Sequence, residues 1–228
     1  MCILQGIIVS YKVVEIFESI NGEGMKAGEL SVFIRFMGCN LCCGYCDTKW
    51  ANEADASYIE MELEEVVERV QDYHVKNVTV TGGEPLLQEG ICELLQVLSK
   101  RGYSVEIETN GSISLKKCAG KVPDVSFTMD YKLPGSNMEQ EMDTANFAVL
   151  TAKDTVKFVV SDGIDLERAL EVSKEYDLGR KCNILLSPVF GAIEPEEIVT
   201  FMKENHWTEA RLQIQMHKVI WDPQKRGV

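Results

Sequence analysis

Short runs of β-branched and apolar residues alternate along the chain with segments of helical periodicity. Strand-like runs lie at about 31–36, 77–81, 104–109, 125–131, 156–161, 184–187 and 212–215. One predicted helix carries apolar residues at 59, 63, 66, 67 and 70, a second carries them at 91, 94, 95 and 98, and two more lie near 165–176 and 194–205. This alternation is typical of parallel βα units. The pattern therefore predicts an α/β fold, an incomplete and open β/α barrel with about seven strands.

Residues of unusual chemistry follow several of these strands directly. They occupy four segments, at 39–48, 82–85, 108–111 and 130–132. In a β/α barrel the active site is built from loops at the C-terminal ends of the strands. We therefore expect these four segments to meet at one rim of the barrel.

Four of the eight cysteines lie within eight residues, at 39, 42, 43 and 46. Read as Cys39-x3-Cys43-x2-Cys46, they supply three thiolates on one loop, enough for three corners of a cubane iron–sulfur cluster with the fourth iron open. A zinc knuckle would need a fourth ligand from Cys42, His74 or Cys92. A thiol–disulfide enzyme would use Cys43 and Cys46 alone and leave Cys39 unexplained. Structural disulfides are the least favoured alternative, because the sequence shows no export signal.

Length and charge limit the classes of function. The 228 residues are 45% hydrophobic and contain no linker-like segment, so we expect a single domain over residues 1–228. No apolar run is long enough to span a membrane, and without a signal sequence the expected location is the cytoplasm. The net charge of -13 argues against nonspecific binding of nucleic acid and favours a small-molecule substrate.

The cysteine motif, together with Gly82-Gly83-Glu84-Pro85 after the next strand, resembles the radical S-adenosylmethionine superfamily. The resemblance implies a 4Fe-4S cluster on Cys39, Cys43 and Cys46. It also implies that S-adenosyl-L-methionine chelates the open iron and is cleaved by one electron to a 5'-deoxyadenosyl radical. Gly83 and Glu84 would bind the methionine amino group through backbone carbonyls.

A narrower resemblance covers most of the chain. The segments 17–24, 38–40, 46–48, 81–85, 108–111 and 215–218, with Arg35, are similar to the 7-carboxy-7-deazaguanine synthase family of the queuosine and deazapurine pathways. The resemblance implies conversion of 6-carboxy-5,6,7,8-tetrahydropterin to 7-carboxy-7-deazaguanine with loss of ammonia, assisted by Mg2+. The carbon–nitrogen bond is broken by radical chemistry, so no protein side chain is expected to be the catalyst itself.

The family pattern also assigns site residues. Glu23 would pair with the guanidine-like edge of the pterin, and Arg35 would bind its carboxylate through a planar fork. Thr48 would offer its hydroxyl oxygen to magnesium, with Asp47 nearby. The implied substrate-binding residues are Ile20, Asn21, Gly22, Glu23, Arg35, Thr81 and His217. The implied cofactor-binding residues are Gly83, Glu84, Glu108, Asn110, Asp130, Tyr131, Lys132 and Ser187.

Partners and the remaining cysteines complete the expectations. The electron donor would be a flavodoxin or a ferredoxin, and the family resemblance favours a homodimer formed at an open sheet edge. Cys42 is interpreted as a bystander, and Cys2, Cys92, Cys118 and Cys182 as small buried hydrophobic residues. Two alternatives remain open: an activase that makes a glycyl radical on a protein partner, and a zinc-binding interaction module.

Overall fold

One sheet of nine strands organises the computed structural model, which describes residues 9–228. The strands are β1 (Ser10–Ile20), β2 (Leu30–Phe36), β3 (Ile59–Glu62), β4 (Asn77–Gly82), β5 (Ser104–Thr109), β6 (Ser126–Tyr131), β7 (Thr155–Val160), β8 (Asn183–Pro188) and β9 (Ala210–Leu212). Their order across the sheet is β3-β1-β2-β4-β5-β6-β7-β8-β9. The two edge strands, β3 and β9, are therefore at opposite ends and the barrel stays open.

Most of the helices lie between successive parallel strands. They are α1 (Leu63–Gln71), α2 (Ile91–Lys100), α3 (Lys116–Ala119), α4 (Gly163–Glu175), α5 (Leu178–Lys181), α6 (Pro195–Glu204) and α7 (Met216–Ile220). Carboxylates begin several of them: Glu62 forms a capping box with Glu65 at α1, and the Asp162 side chain accepts from the Asp165 amide at α4. Within residues 9–228, no helix has the length and apolar character needed to cross a membrane.

The open α/β barrel is confirmed, and the seven predicted strands correspond to β2 and β4–β9, which pair in parallel. Two strands were not predicted. β1 pairs antiparallel with both β2 and β3 at one edge of the sheet. The placement of Ile59 in a helix was wrong, because Ile59 begins β3 and is 68% exposed, while α1 starts at Leu63. The last strand was predicted three residues too late, since β9 ends at Leu212.

The two faces of the sheet have different chemistry. Apolar residues such as Val80, Ile107 and Met129 pack into the buried core beneath the helices. Their polar neighbours in the same strands point to the opposite face, because side chains alternate along a strand. Parallel strands are usually apolar on both faces, so this alternation marks an inner surface that is built for polar contacts. We call it the polar face.

Three cysteines outside the cluster loop lie among the described residues, and they differ in bonding and burial. Cys92 of α2 and Cys118 of α3 are buried as predicted, but they form a disulfide, with their Cα atoms 5.3 Å apart. Their interpretation as plain hydrophobic residues was wrong, because the packing of α2 on α3 brings the two side chains together. Cys182 is only half-buried. Cys2 lies outside the described residues.

Candidate active site

The cysteine loop starts where β2 ends. Gly38 turns the chain with a φ of +93°, a conformation that side chains disfavour, and Cys39, Cys43 and Cys46 follow as free thiols. Cys39 Sγ accepts from the Leu41 amide at 3.4 Å and lies 3.6 Å from Asn110 Nδ2. Burial raises the pKa of Cys39 and of Cys43. Hydrogen bonds of this kind compensate a sulfur that carries negative charge, as a metal-bound thiolate does.

The number of these thiols suits three corners of a cubane cluster better than a tetrahedral site for a single ion. No group of three or more His, Cys, Asp or Glu side chains in residues 9–228 is arranged to hold one metal ion. Tetrahedral zinc needs four donors around one centre, whereas the thiolates of a cubane each bind a different iron. Cys42 is exposed, whereas its neighbour Cys43 is buried.

The glycine turn packs directly against the cysteine loop. Gly83 donates its amide to Phe36 O at 3.1 Å, and Glu84 donates its amide to Gly38 O at 2.8 Å. A Cβ on Gly83 would lie 2.1 Å from Asn52 Oδ1 and 2.2 Å from Gly38 O. A side chain cannot fit there, so this turn requires glycine for close backbone approach.

The carboxylate of Glu84 is used inside the protein. It is fully buried and accepts from Thr109 Oγ1 at 2.8 Å, from the Asn110 amide at 2.6 Å and from the Leu86 amide at 3.0 Å. Burial raises the pKa of Glu84, and these three hydrogen bonds oppose the effect. Glu84 thereby fixes the glycine turn to the end of β5, and only its backbone remains for a ligand.

Glu23 follows β1, and its side chain contacts residues of β7 and β8. Lys157 Nζ and Gln215 Nε2 each lie 3.4 Å from Glu23 Oε2, and the Ser187 hydroxyl donates to Oε1. Burial would raise the pKa of Glu23, but the charge of Lys157 and the hydrogen bonds from Ser187 and Gln215 lower it to about 2. Glu23 is therefore a carboxylate at neutral pH, ready to accept hydrogen bonds from a ligand.

The C-terminal helix α7 closes over the turn that carries Glu23. Met216 donates its amide to Gly22 O at 3.0 Å, and a Cβ on Gly22 would lie 2.2 Å from His217 Nδ1. Burial lowers the pKa of His217, and the nearby charge of Glu23 only partly offsets this. His217 is thus a neutral imidazole packed on Gly22. Ile20, the last residue of β1, leads into this turn.

Arg35 and Thr81 occupy paired positions of β2 and β4 on the polar face. Arg35 Nε donates to Glu15 Oε1 at 2.7 Å, and its guanidinium carbon lies 5.9 Å from the centre of the Trp50 ring. The terminal nitrogens of Arg35 make no hydrogen bond within residues 9–228, which leaves the fork open. The Thr81 hydroxyl donates to Glu108 Oε2 at 2.9 Å.

The end of β6 provides a second group of charges. Lys132 Nζ lies 3.0 Å from Asp130 Oδ2, and Lys157 Nζ lies 3.6 Å from the same oxygen. Asp130 and Tyr131 are the last two residues of β6, as the predicted strand at 125–131 has them, and Lys132 is the first residue beyond the strand. The Tyr131 ring is buried against Phe147 and Phe158, away from the polar face, because alternate residues of a strand face opposite sides.

Three buried polar atoms of the described residues lack a hydrogen-bond partner: Asn21 Nδ2, Asn52 Oδ1 and Asp130 Oδ1. Such atoms are rare in folded proteins and mark places where a ligand or water completes the site. Asn52 borders the glycine turn, Asp130 the cysteine loop, and Asn21 the Glu23 turn. The site therefore has two unfinished ends, one beside the thiols and one beside Glu23.

Known proteins match this arrangement. Residues 33–203 match the Radical SAM superfamily. The chain is 58% identical over 221 residues to 7-carboxy-7-deazaguanine synthase from Clostridium acetobutylicum, with 96% of this chain and 100% of that protein covered. It is 36% identical to the synthase of the same name from Chlorobaculum tepidum, covering 94% and 96% of the two chains. The chain belongs to the 7-carboxy-7-deazaguanine synthase family of radical SAM enzymes.

Solved structures agree with this family. The crystal structure of QueE from Escherichia coli superposes with a TM-score of 0.73 at 25% identity, covering 91% of this chain and 95% of that one. The fold extends further, to an archaeal TYW1 with a TM-score of 0.54 at 16% identity, covering 76% and 70%. Radical SAM chemistry implies a 4Fe-4S cluster and S-adenosyl-L-methionine, and the free thiols, the glycine turn and the unpartnered Asn52 and Asp130 atoms fit these two groups.

The magnesium ligand predicted for the family sits on the same loop. Thr48 Oγ1 lies 3.6 Å from Cys46 Sγ, just before a one-turn 3-10 helix, Lys49–Ala51. Asp47 is exposed and lies 3.7 Å from Lys218 Nζ. A hard cation takes oxygen ligands, and Thr48 offers one hydroxyl oxygen beside Cys46.

Sequence reasoning missed three residues that shape the site: Lys157, Gln215 as a partner of Glu23, and Glu15 as the partner of Arg35. The sequence did contain a signal for Lys157, because it is the one charged residue in β7, a strand in which every residue is buried. Ser187 was assigned to the cofactor, but the structure places its hydroxyl on Glu23.

Proposed function

We propose that this chain converts 6-carboxy-5,6,7,8-tetrahydropterin to 7-carboxy-7-deazaguanine with loss of ammonia. The observation that carries the proposal is the ionised Glu23 on the polar face. A carboxylate held there by Lys157, Ser187 and Gln215 is an acceptor for the adjacent N–H donors of a pterin.

The other contacts suit the rest of such a substrate. Arg35 has its Nε paired with Glu15 and its terminal nitrogens free, so it can bind a carboxylate as a fork. Asn21 accepts from Thr79 at 2.9 Å and keeps a buried N–H2 donor for a ring carbonyl or nitrogen. Neutral His217 covers this end through its packing on Gly22. Thr81, hydrogen-bonded to Glu108, lies between the two ends.

The cofactors belong at the other end in this proposal. Cys39, Cys43 and Cys46 would hold the cluster, and the backbone of Gly83 and Glu84 would bind the amino group of S-adenosyl-L-methionine. When bound, these groups supply the 5'-deoxyadenosyl radical. Lys132, which pairs with Asp130, would bind the carboxylate of the cofactor, Asn110 would support Cys39, and Thr48 would hold Mg2+.

The test is anaerobic turnover of the cluster-loaded protein with reductant, S-adenosyl-L-methionine, Mg2+ and the pterin. Mass spectrometry should detect 7-carboxy-7-deazaguanine in excess over consumed cofactor. Deoxyadenosine without deazaguanine would overturn the proposed substrate and favour an activase instead. Glu23→Gln should lose product while still binding the cofactor, with the exposed Glu18→Gln as the control for charge removal.

We further propose the cellular setting that such chemistry needs. A low-potential donor, flavodoxin or ferredoxin, would reduce the cluster, and the cytoplasm would keep the thiols of the cysteine loop reduced. A homodimer would cover an open edge of the sheet, where β9 has only three residues. Size-exclusion chromatography with light scattering tests the dimer.

A further inference from the structure

Four charges of alternating sign form a row across the polar face. Glu23 and Lys157 approach to 3.4 Å, Lys157 and Asp130 to 3.6 Å, and Asp130 and Lys132 to 3.0 Å. All four side chains are at most 19% exposed. We call this row the charge ladder. It runs from the proposed substrate end to the proposed cofactor end.

Lys157 has two nearly equivalent partners. Its ammonium lies between Glu23 Oε2 and Asp130 Oδ2, at distances that differ by 0.2 Å (3.6 minus 3.4). Asp130 also has a second oxygen, Oδ1, which is buried and has no hydrogen-bond partner. A small movement of one side chain can therefore transfer the ion pair from Glu23 to Asp130.

Glu23 cannot receive a two-pronged donor without such a movement. A carboxylate has about four acceptor sites. Ser187 occupies one on Oε1, while Lys157 and Gln215 both approach Oε2. Two adjacent N–H groups of a ligand need one free site on each oxygen, so one contact at Oε2 must give way. Lys157 is the contact with an alternative partner.

A ligand at the Lys132 end of the charge ladder favours the same shift of Lys157 from Glu23 to Asp130. A carboxylate that binds Lys132 draws its ammonium away from Asp130 Oδ2 and leaves Asp130 in need of a cation. Lys157 can supply it. Because Lys157 then leaves Glu23, the acceptor for the substrate is exposed.

We propose that Lys157 is a positioning residue. In the free protein it occupies an acceptor site on Glu23 that the substrate would use, and through Asp130 it couples the substrate site to the cofactor site. The inference rests on the proposed function, since it takes the pterin edge to Glu23 and the cofactor carboxylate to Lys132. Each ligand then favours the same arrangement of the charge ladder, so binding of one increases the affinity for the other. Such coupling is reciprocal and depends on the differential contacts of the two states.

The experiment measures binding of S-adenosyl-L-methionine to the anaerobic, cluster-loaded protein without reductant. Isothermal titration gives its dissociation constant with and without saturating 6-carboxytetrahydropterin. In the natural chain the pterin should tighten cofactor binding by about five-fold or more. Lys157→Met and Asp130→Asn should bring this ratio close to one, and Lys157→Arg should restore part of it.

A matched control is Lys121→Met, which removes the same charge from the exposed pair Lys121–Glu93. It should keep the natural ratio. The inference is overturned if the natural chain shows no coupling, or if both Lys157→Met and Asp130→Asn keep the coupling of the natural chain. If Lys157→Met does not fold, Asp130→Asn alone decides, because it leaves the Lys157–Glu23 pair intact.

Failure of the proposed function gives a different result. A natural chain that neither binds nor turns over the pterin refutes the substrate assignment, and the coupling falls with it. A chain that makes 7-carboxy-7-deazaguanine but shows equal coupling in all variants keeps its function and loses only this inference.

Discussion

Replacement of Glu23 by glutamine tests the electrostatics of the site in the free protein. The pKa of Glu23 is lowered from 4.5 to about 2, although burial acts in the opposite direction. The cause is the ion pair with Lys157 and the hydrogen bonds from Ser187 and Gln215. The ionised carboxylate is therefore bound more tightly by the folded chain than by the unfolded one.

The size of the effect follows from linkage. The lowering of the Glu23 pKa from 4.5 to about 2 in the folded chain corresponds to about 3 kcal/mol in the free energy of unfolding at pH 7. Because the folded-state pKa is the lower one, this stabilisation is complete above pH 4.5 and is lost as the pH falls towards 2. At pH 3.5 about 2 kcal/mol should remain.

Urea unfolding of the cluster-free protein, followed by tryptophan fluorescence, measures the difference. Glu23→Gln should be less stable than the natural chain by about 3 kcal/mol at pH 7, with a smaller deficit at pH 3.5. Glu18→Gln, which removes the same charge from an exposed position of β1, should change stability by less than about 0.5 kcal/mol. A deficit below about 0.5 kcal/mol for Glu23→Gln, or one equal at both pH values, would refute the assigned electrostatics.

Three further changes probe the other end of the site. Cys43→Ala should abolish iron incorporation while Cys42→Ala spares it, as measured by iron content and absorbance after anaerobic reconstitution; a variant without Cys42 that holds no iron would show that the ligands are misassigned. Gly83→Ala should weaken binding of S-adenosyl-L-methionine at least ten-fold (about 1.4 kcal/mol) by titration, because its Cβ would overlap Asn52 and Gly38, whereas Gly163→Ala, with open space around it, should bind normally. Thr48→Ala should reduce the response of turnover to added Mg2+ with little change in cofactor cleavage, and an unchanged response would exclude Thr48 as a ligand.

The parallel strands were predictable because each combines β-branched residues with an abrupt end. β5 was predicted at its observed bounds, since Asn110-Gly111 stops it. β3 was not, because Ile59 continues the apolar spacing of α1 and a four-residue edge strand has little pattern of its own. β1 was missed because Glu15 and Glu18 interrupt its apolar residues.

The residues of the site likewise fall into those that a local motif identifies and those that only the fold brings together. The thiols and the glycine turn are compact motifs, so local spacing was enough to identify them. The roles of Lys157 and Ser187 depend on Glu23, which lies more than 130 positions away in sequence. Only the register of β6, β7 and β8 brings these residues together, and a single sequence does not contain that register.

The contact of α7 with the Gly22 turn can form only late in synthesis, because α7 follows the cysteine loop by many positions. His217 is translated 171 positions after Cys46 (217 minus 46). At about 5–20 residues per second, roughly 10–30 s separate Cys46 from His217. The nascent chain therefore presents its thiols well before Met216 can bind Gly22 and close the pocket around Glu23. Until α7 is made, the turn that carries Glu23 lacks the hydrogen bond from the Met216 amide and the cover of the His217 ring.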